Sequence, residues 1–273
     1  MKNKLTVGLL HIFLIILAII TLIPFIWMVS SSFKTNAEIN ALHQTILPKV
    51  VTFENYLKVN QNFNFMRFFI NSLFLAIVIT ILVSVTSTVV GFVLSKYEFR
   101  GKKIIFGFIM ATMMIPWAVT IIPKYSIISA IGWMDSYLAI IVPAMFSGFG
   151  IFMLRQYCIG IPDELLEAAR IDGANEFYIL FKIVFPLCRN AISSIAIFQF
   201  LWIWEDYLWP FIVLNDESKQ VLAVGLKMFN GRYSVDYGGL FAATTVSIIP
   251  VIIVYIIFQS RFIDGISSSA VKG

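Results

Sequence analysis

Residues 167–187 read EAARIDGANEFYILFKIVFPL. This charged stretch, marked by alanine and glycine and closed by a proline, stands between two long apolar runs. Just upstream, Pro162 and Asp163 look like a helix start, with Asp163 as N-cap and Glu164 and Glu167 in the first turn, where carboxylates complement the helix dipole. Gly173 is placed to end that helix in a left-handed conformation. Asn175 is placed to cap a second short helix, and Pro186 marks its end. The spacing therefore predicts a helix–turn–helix over roughly 160–187. Two readings of it compete: an amphipathic connector lying in the lipid interface, or a surface for another protein. Acids outnumber bases between Asp163 and Glu176, which suits an anionic membrane poorly and favours a protein partner. Ala168 and Ala169 give the first helix a smooth face for close approach.

The rest of the chain sets this stretch in a membrane. Of 273 residues, 59% are hydrophobic and only 13% charged, where a soluble domain carries about 25% charged residues. Apolar runs long enough to cross roughly 30 Å of hydrocarbon predict an all-α polytopic membrane protein with spans near 7–29, 69–94, 104–123, 137–154, 189–212 and 240–259. Together they form one transmembrane domain, 1–273. The first run is too long for a signal h-region and is read as an uncleaved span. The formal charge of +5 comes from Lys and Arg scattered among the loops, without the basic stripe of a nucleic-acid surface. Their densest cluster is the turn Lys96–Lys103, which places both termini in the cytoplasm. The two cysteines, Cys158 and Cys188, form neither a disulfide framework nor a metal motif.

Most spans lack a central Asp, Glu, Lys, Arg or His, which argues against ion-coupled carriage by a secondary carrier acting alone. Polar uncharged groups such as Thr80, Ser87, Ser194 and Gln199 either bond neighbouring helices or line a path for a neutral, hydroxyl-rich solute. Glu205 and Asp206 either end the fifth span at the interface or line that path. Trp202, Trp204 and Trp209 belong to an aromatic belt or stack on sugar rings. No phosphate loop, HExxH or GxSxG is present, so neither ATP hydrolysis nor intramembrane catalysis is expected of this chain.

The run Glu167-Ala168-Ala169, then Asp172-Gly173-Ala174, Ile183 and Pro186, resembles the EAA loop of permease subunits in bacterial ATP-driven (ABC) importers. Phe185 stands where that pattern usually has leucine. Trp204-Glu205-Asp206-Tyr207-Leu208-Trp209-Pro210, the opening Pro24–Met28 with Ser32-Phe33-Lys34, and the tail Phe262–Ile266 with Ala270–Gly273 are similar to the maltose-type carbohydrate branch. The resemblance covers essentially the whole chain. It implies the type I ABC importer permease fold in the bacterial cytoplasmic membrane. It also implies a second homologous permease, two cytoplasmic ATPase subunits and an extracytoplasmic solute-binding protein as partners, alongside membrane lipid.

The implied role is half of the translocation pathway for a sugar or oligosaccharide, or for a non-sugar solute such as a glycerol phosphate ester. Glu167, Ala168, Ala169, Asp172, Gly173 and Ala174 would couple to the ATPase, and Val271, Lys272 and Gly273 would contact it through the tail. Gln199, Trp202, Glu205 and Asp206 are the candidate solute path. No catalytic residue, metal or cofactor of its own is expected, since ATP and Mg belong to the ATPase.

Overall fold

A computed structural model describes residues 4–229 and 235–270, and among them the regular elements are helices. In chain order they are α1 (Lys4–Ser32), α2 (Asn36–Ile39), α3 (Glu54–Asn62), α4 (Phe65–Lys96), α5 (Lys102–Met114), α6 (Trp117–Ala130), α7 (Leu138–Ala144) and α8 (Gly148–Ile159). After these come α9 (Asp163–Ile171), α10 (Glu176–Tyr178), a π turn (Ile179–Val184), α11 (Phe185–Leu187), α12 (Arg189–Glu205), α13 (Leu208–Val213), a 3-10 turn (Glu217–Lys219), α14 (Leu222–Lys227) and α15 (Tyr237–Ala270). Four apolar segments among the described residues are long enough to cross a membrane: Thr6–Ser32, Phe65–Lys96, Leu138–Ile159 and Tyr237–Ser260. Two bent pairs, Lys102–Met114 with Trp117–Ala130 and Glu176–Leu187 with Arg189–Glu205, bring the total to as many as six.

The bends have local causes. Pro116 offers no N–H and forces Ile115 out of the helical region, so Ile115 sits at φ −83°, ψ 119° and the chain turns through 108° between α5 and α6. The run expected to form a straight third span is thus two helices, and α6 takes up much of what reads in sequence as a connector. At the other bend, Pro186 cannot donate to the turn before it, and its ring crowds the carbonyl four residues back. The π turn over Ile179–Val184 widens the helix at that point. Pro186 therefore distorts a helical segment that runs on to Leu187, and the 77° bend into α12 follows at Cys188.

The chain divides into two compact units. The first comprises Met1–Met66 and Gly225–Ile249. Here the Asn55 amide donates to the carbonyls of Ser32 (2.8 Å) and Lys34 (2.7 Å), and Asn36 accepts the amide of Gly238 (2.8 Å). Phe63 meets Phe229 edge to face, and Trp27 meets Phe241 in the same way. Side chains along α1 from Leu9 to Ile26 stay exposed, as a helix facing lipid or another apolar surface requires.

The second unit comprises Arg67–Val224 and Pro250–Gly273. Its core joins Leu75, Ile79 and Val83 of α4 to Leu154 and Cys158 of α8, Leu166 of α9, and Ala191 and Ile195 of α12. Helices α4 and α8 approach closely through small residues. A Cβ on Gly91 would lie 2.7 Å from the backbone nitrogen of Arg155, and one on Gly150 would lie 2.3 Å from Ser87 Oγ. Such small-residue seams let membrane helices gain contact where the hydrophobic effect supplies none.

Candidate functional site

The loop between α8 and α12 folds as the sequence leads one to expect, with differences in detail. Pro162, not Asp163, occupies the N-cap position of α9 and no side chain caps it; Asp163 is the first helical residue, and its carboxylate pairs with Lys96 Nζ at 2.7 Å. Gly173 lies at φ +85°, a left-handed conformation that glycine enters without steric penalty, and it turns the chain from α9 to α10. Asn175 Oδ1 accepts the amide of Tyr178 at 2.8 Å and so caps α10.

Burial splits the loop into two faces. Leu166, Ile179 and Val184 are buried, and Ala169 and Ala174 pack against the same core. Glu167, Ala168, Asp172 and Gly173 are exposed. Of the two alanines expected to offer a smooth outer face, only Ala168 does so; Ala169 faces inward. The outer face is more apolar than the alanines alone indicate, since Ile171 is 86% and Phe177 76% exposed.

A polar knot fixes this loop to the end of α4. Lys96 Nζ donates to the carbonyl of Ile161 at 2.5 Å as well as pairing with Asp163, and its own side chain is only 7% exposed. Arg170 Nε pairs with Glu176 Oε1 at 2.9 Å across the Gly173 turn, and the Tyr97 hydroxyl donates to the same carboxylate. Glu176, and to a lesser degree Tyr97, raise the Arg170 pKa above its ordinary value. Partial burial, followed by the adjoining Glu176 carboxylate, pushes the Tyr97 hydroxyl up.

The second candidate region is an open cleft of about 610 Å³ lined by Trp117, Lys124, Trp202, Glu205, Asp206 and Trp209. Lys124 Nζ sits 3.8 Å from the centre of the Trp209 ring, a cation–π contact. The Trp209 indole donates to the Ala139 carbonyl at 2.9 Å, which fixes the ring. Asp206 follows the last residue of α12, accepts the Trp209 amide at 3.3 Å at the start of α13, and lines the cleft. Of the expected path residues, Trp202, Glu205 and Asp206 share this cleft. Gln199 is buried one turn earlier and does not line it. Trp204 is buried too, stacked on Phe200 and edge-on to Phe69, and is therefore packing.

A family model described as the binding-protein-dependent transport system inner membrane component matches residues 87–268, which include the whole loop and the cleft. This chain belongs to that family. The arabinooligosaccharides transport system permease protein AraQ of Bacillus subtilis (strain 168) is 35% identical over 267 residues, covering 97% of this chain and 95% of that protein. The diacetylchitobiose uptake system permease protein NgcG of Streptomyces coelicolor is 31% identical, covering 96% of this chain and 88% of that protein. In the crystal structure of a bacterial ABC transporter involved in the import of the acidic polysaccharide alginate, one chain superposes with a TM-score of 0.84. Identity there is 27%, with 96% of this chain and 98% of that chain covered.

As a member of this family, the chain is a permease subunit of an ABC importer with the type I permease fold, and ATP hydrolysis falls to a separate partner. Sequence reasoning missed four of the permease's loop-fixing residues, Lys96, Tyr97, Arg170 and Glu176, and two cleft residues, Trp117 and Lys124. Lys96 and Tyr97 lay in a turn read only for orientation. Arg170 and Glu176 flank Gly173, and that turn is what brings them together. The expected tail contact, Val271, Lys272 and Gly273, lies outside the described residues. Among the described residues, no three His, Cys, Asp or Glu side chains gather as a metal site.

Proposed function

We propose that this permease passes a neutral oligosaccharide, received from an extracytoplasmic binding protein, across the cytoplasmic membrane, and that loop 160–187 docks on its ATPase. In this reading both termini are cytoplasmic, and the tail Val271–Gly273 also reaches the ATPase. The observation that carries the docking assignment is the outward face of the loop, where Ile171 and Phe177 stand exposed among acids while the inward face is locked to the core. Exposed apolar groups ringed by charge are the surface of a protein contact.

The solute class rests on the cleft. Fixed indole rings suit the apolar faces of sugars, and Glu205 and Asp206 suit hydroxyl donors. Two carboxylates against one ammonium disfavour a polyanion or a phosphate ester, in contrast to the alginate importer. The names of AraQ and NgcG, which concern arabinooligosaccharides and diacetylchitobiose, point the same way.

The test is uptake by proteoliposomes holding the complete complex and its binding protein, offered radiolabelled neutral oligosaccharides of two to six sugars. ATP-dependent uptake is expected. Uptake driven by an imposed proton gradient without ATP would overturn the reading. Orientation is checked with single cysteines at Arg100 and Asn215, both exposed; the two native cysteines are buried. Only Asn215→Cys should react with an impermeant thiol reagent applied from outside.

A further inference from the structure

Helix α4 carries contacts at both ends that the permease reading alone does not assign. We propose that α4 is a strut that ties the coupling loop to the outer loop 214–222, with Lys96 and Tyr97 as positioning residues at the inner end and Asn71 and Ser72 at the outer end. The inference rests on loop 160–187 being the coupling element.

At the inner end, Lys96 holds the entry to α9 through the Ile161 carbonyl and Asp163, while Tyr97 holds its exit through Glu176 and Arg170. Both ends of the coupling helix are thus fastened at the end of α4, to its last residue, Lys96, and to Tyr97, whose amide still bonds back to the Val93 carbonyl at 3.2 Å. At the outer end, Asn71 Nδ2 donates to the carbonyls of Ser218 (3.0 Å) and Gln220 (2.8 Å). Ser72 Oγ accepts the amide of Leu222 at 2.8 Å. The loop so gripped is stiff in itself. Gln220 Nε2 donates to the Leu214 carbonyl at 2.6 Å, and Asp135 accepts the amides of Asn215 (3.0 Å) and Asp216 (2.9 Å).

Between these ends α4 runs unbroken and without proline for 32 residues. At about 1.5 Å per residue, the stretch from Asn71 to Lys96 covers roughly 38 Å, more than the ~30 Å of hydrocarbon. It also carries α8 with it, through the Gly91–Arg155 and Ser87–Gly150 approaches and a bond from Arg155 Nε to the Leu94 carbonyl at 3.2 Å. The route that follows the sequence is softer, because from α9 to α12 it crosses the Gly173 turn, the π turn and the 77° bend at Cys188. Hinges in series absorb displacement, whereas a continuous helix pinned at both ends transmits it. Binding-protein contact at the outer face therefore reaches the ATPase through α4.

The test uses the full complex in proteoliposomes with its binding protein and a mixture of neutral oligosaccharides. The readout is the ratio of stimulated to basal ATP hydrolysis per assembled complex, which a defect confined to folding or yield does not change. Lys96→Met, Tyr97→Phe and Asn71→Ala are each expected to lower this ratio about five-fold, and Lys96→Arg is expected to restore most of it. Tyr97→Phe removes one oxygen and keeps the ring, so it assembles even if Lys96→Met does not. Gly173→Asp is the control on the coupling loop. If it abolishes stimulation while Tyr97→Phe and Asn71→Ala keep the wild-type ratio, the strut is overturned and the coupling loop stands. If Gly173→Asp itself keeps the wild-type ratio, the coupling reading fails.

Discussion

The two ends of α4 meet their loops with different chemistry. The inner knot is built from full charges at the rim of the protein: Asp163 is 72% exposed, Glu176 51% and Arg170 39%. The outer grip on α4 is neutral, an amide and a hydroxyl bonding backbone groups, with Ser72 only 2% exposed. Exposed charge pairs gain little because solvent screens them and long side chains must be ordered, whereas a buried polar group left unsatisfied is costly. The neutral outer grip therefore rests on buried and part-buried bonds throughout, whereas at the inner end the firm anchor is Lys96, only 7% exposed, and the Arg170–Glu176 pair beside it is the more weakly held.

The largest effect is expected where α4 meets α8 backbone to backbone. Gly91→Ala places a methyl 2.7 Å from the Arg155 nitrogen and 2.9 Å from Leu154 Cβ. The helix-propensity gain of about 1 kcal/mol is smaller than the cost of parting two backbones, so a net loss of about 1–3 kcal/mol is expected. Gly150→Ala meets a serine hydroxyl that can rotate away, so it should cost less. Thermal unfolding of the solubilised protein ranks the two, and the reverse order would show that α8 does not seat on α4 at Gly91.

Acid should distinguish a fixed ion pair from a neutral grip. Asp135 is held down to about 2 by its hydrogen bond to Lys219 (2.7 Å), with help from the amides of Asp216 and Asn215. Its folded pKa lies below the unfolded value of ~3.9, so its stabilising contribution is complete well above that value and is lost as the pH falls through the folded pKa. The melting difference between the wild type and Asp135→Asn should be constant from about pH 7 to 5, shrink steadily below about pH 4 and vanish only once the pH is below the folded pKa of about 2. Asparagine tolerates the left-handed backbone there, φ 57°, so the substitution probes the charge. A difference that grew on acidification would contradict this. The smallest effect belongs to Lys58→Ala. Its pair with Glu54 lies within one exposed turn of α3 and joins no distant segments, so a change of about 0.3–0.5 kcal/mol is expected in the same unfolding measurement.

Sequence alone showed the parts of this architecture that depend on local chemistry. Gly173, Asn175 and the apolar spans declare themselves through turn conformation, capping and hydropathy, all of which act within a few residues. The bend at Pro116 was equally local, but hydropathy windows average across it, so two helices read as one span. Side-chain partners far apart in the chain were out of reach. Nothing in the turn Lys96–Lys103 says that its first two residues grip positions 161–176, and nothing at Asn71 points to Ser218 and Gln220. The cleft was half legible: Trp202, Glu205 and Asp206 are neighbours in sequence, whereas Trp117 and Lys124 join them only because α5 and α6 bend apart.

The central claim, that loop 160–187 is the surface on which the ATPase sits, is tested most directly by photo-crosslinking. A benzophenone amino acid replaces Phe177, which is 76% exposed, or Ile171, which is 86% exposed, in the assembled complex. A covalent adduct with the ATPase subunit is expected from both positions, and none when the probe stands at Asn215 instead. Assembled complexes that yield adducts with lipid alone at positions 171 and 177 would make the loop a connector and contradict the account.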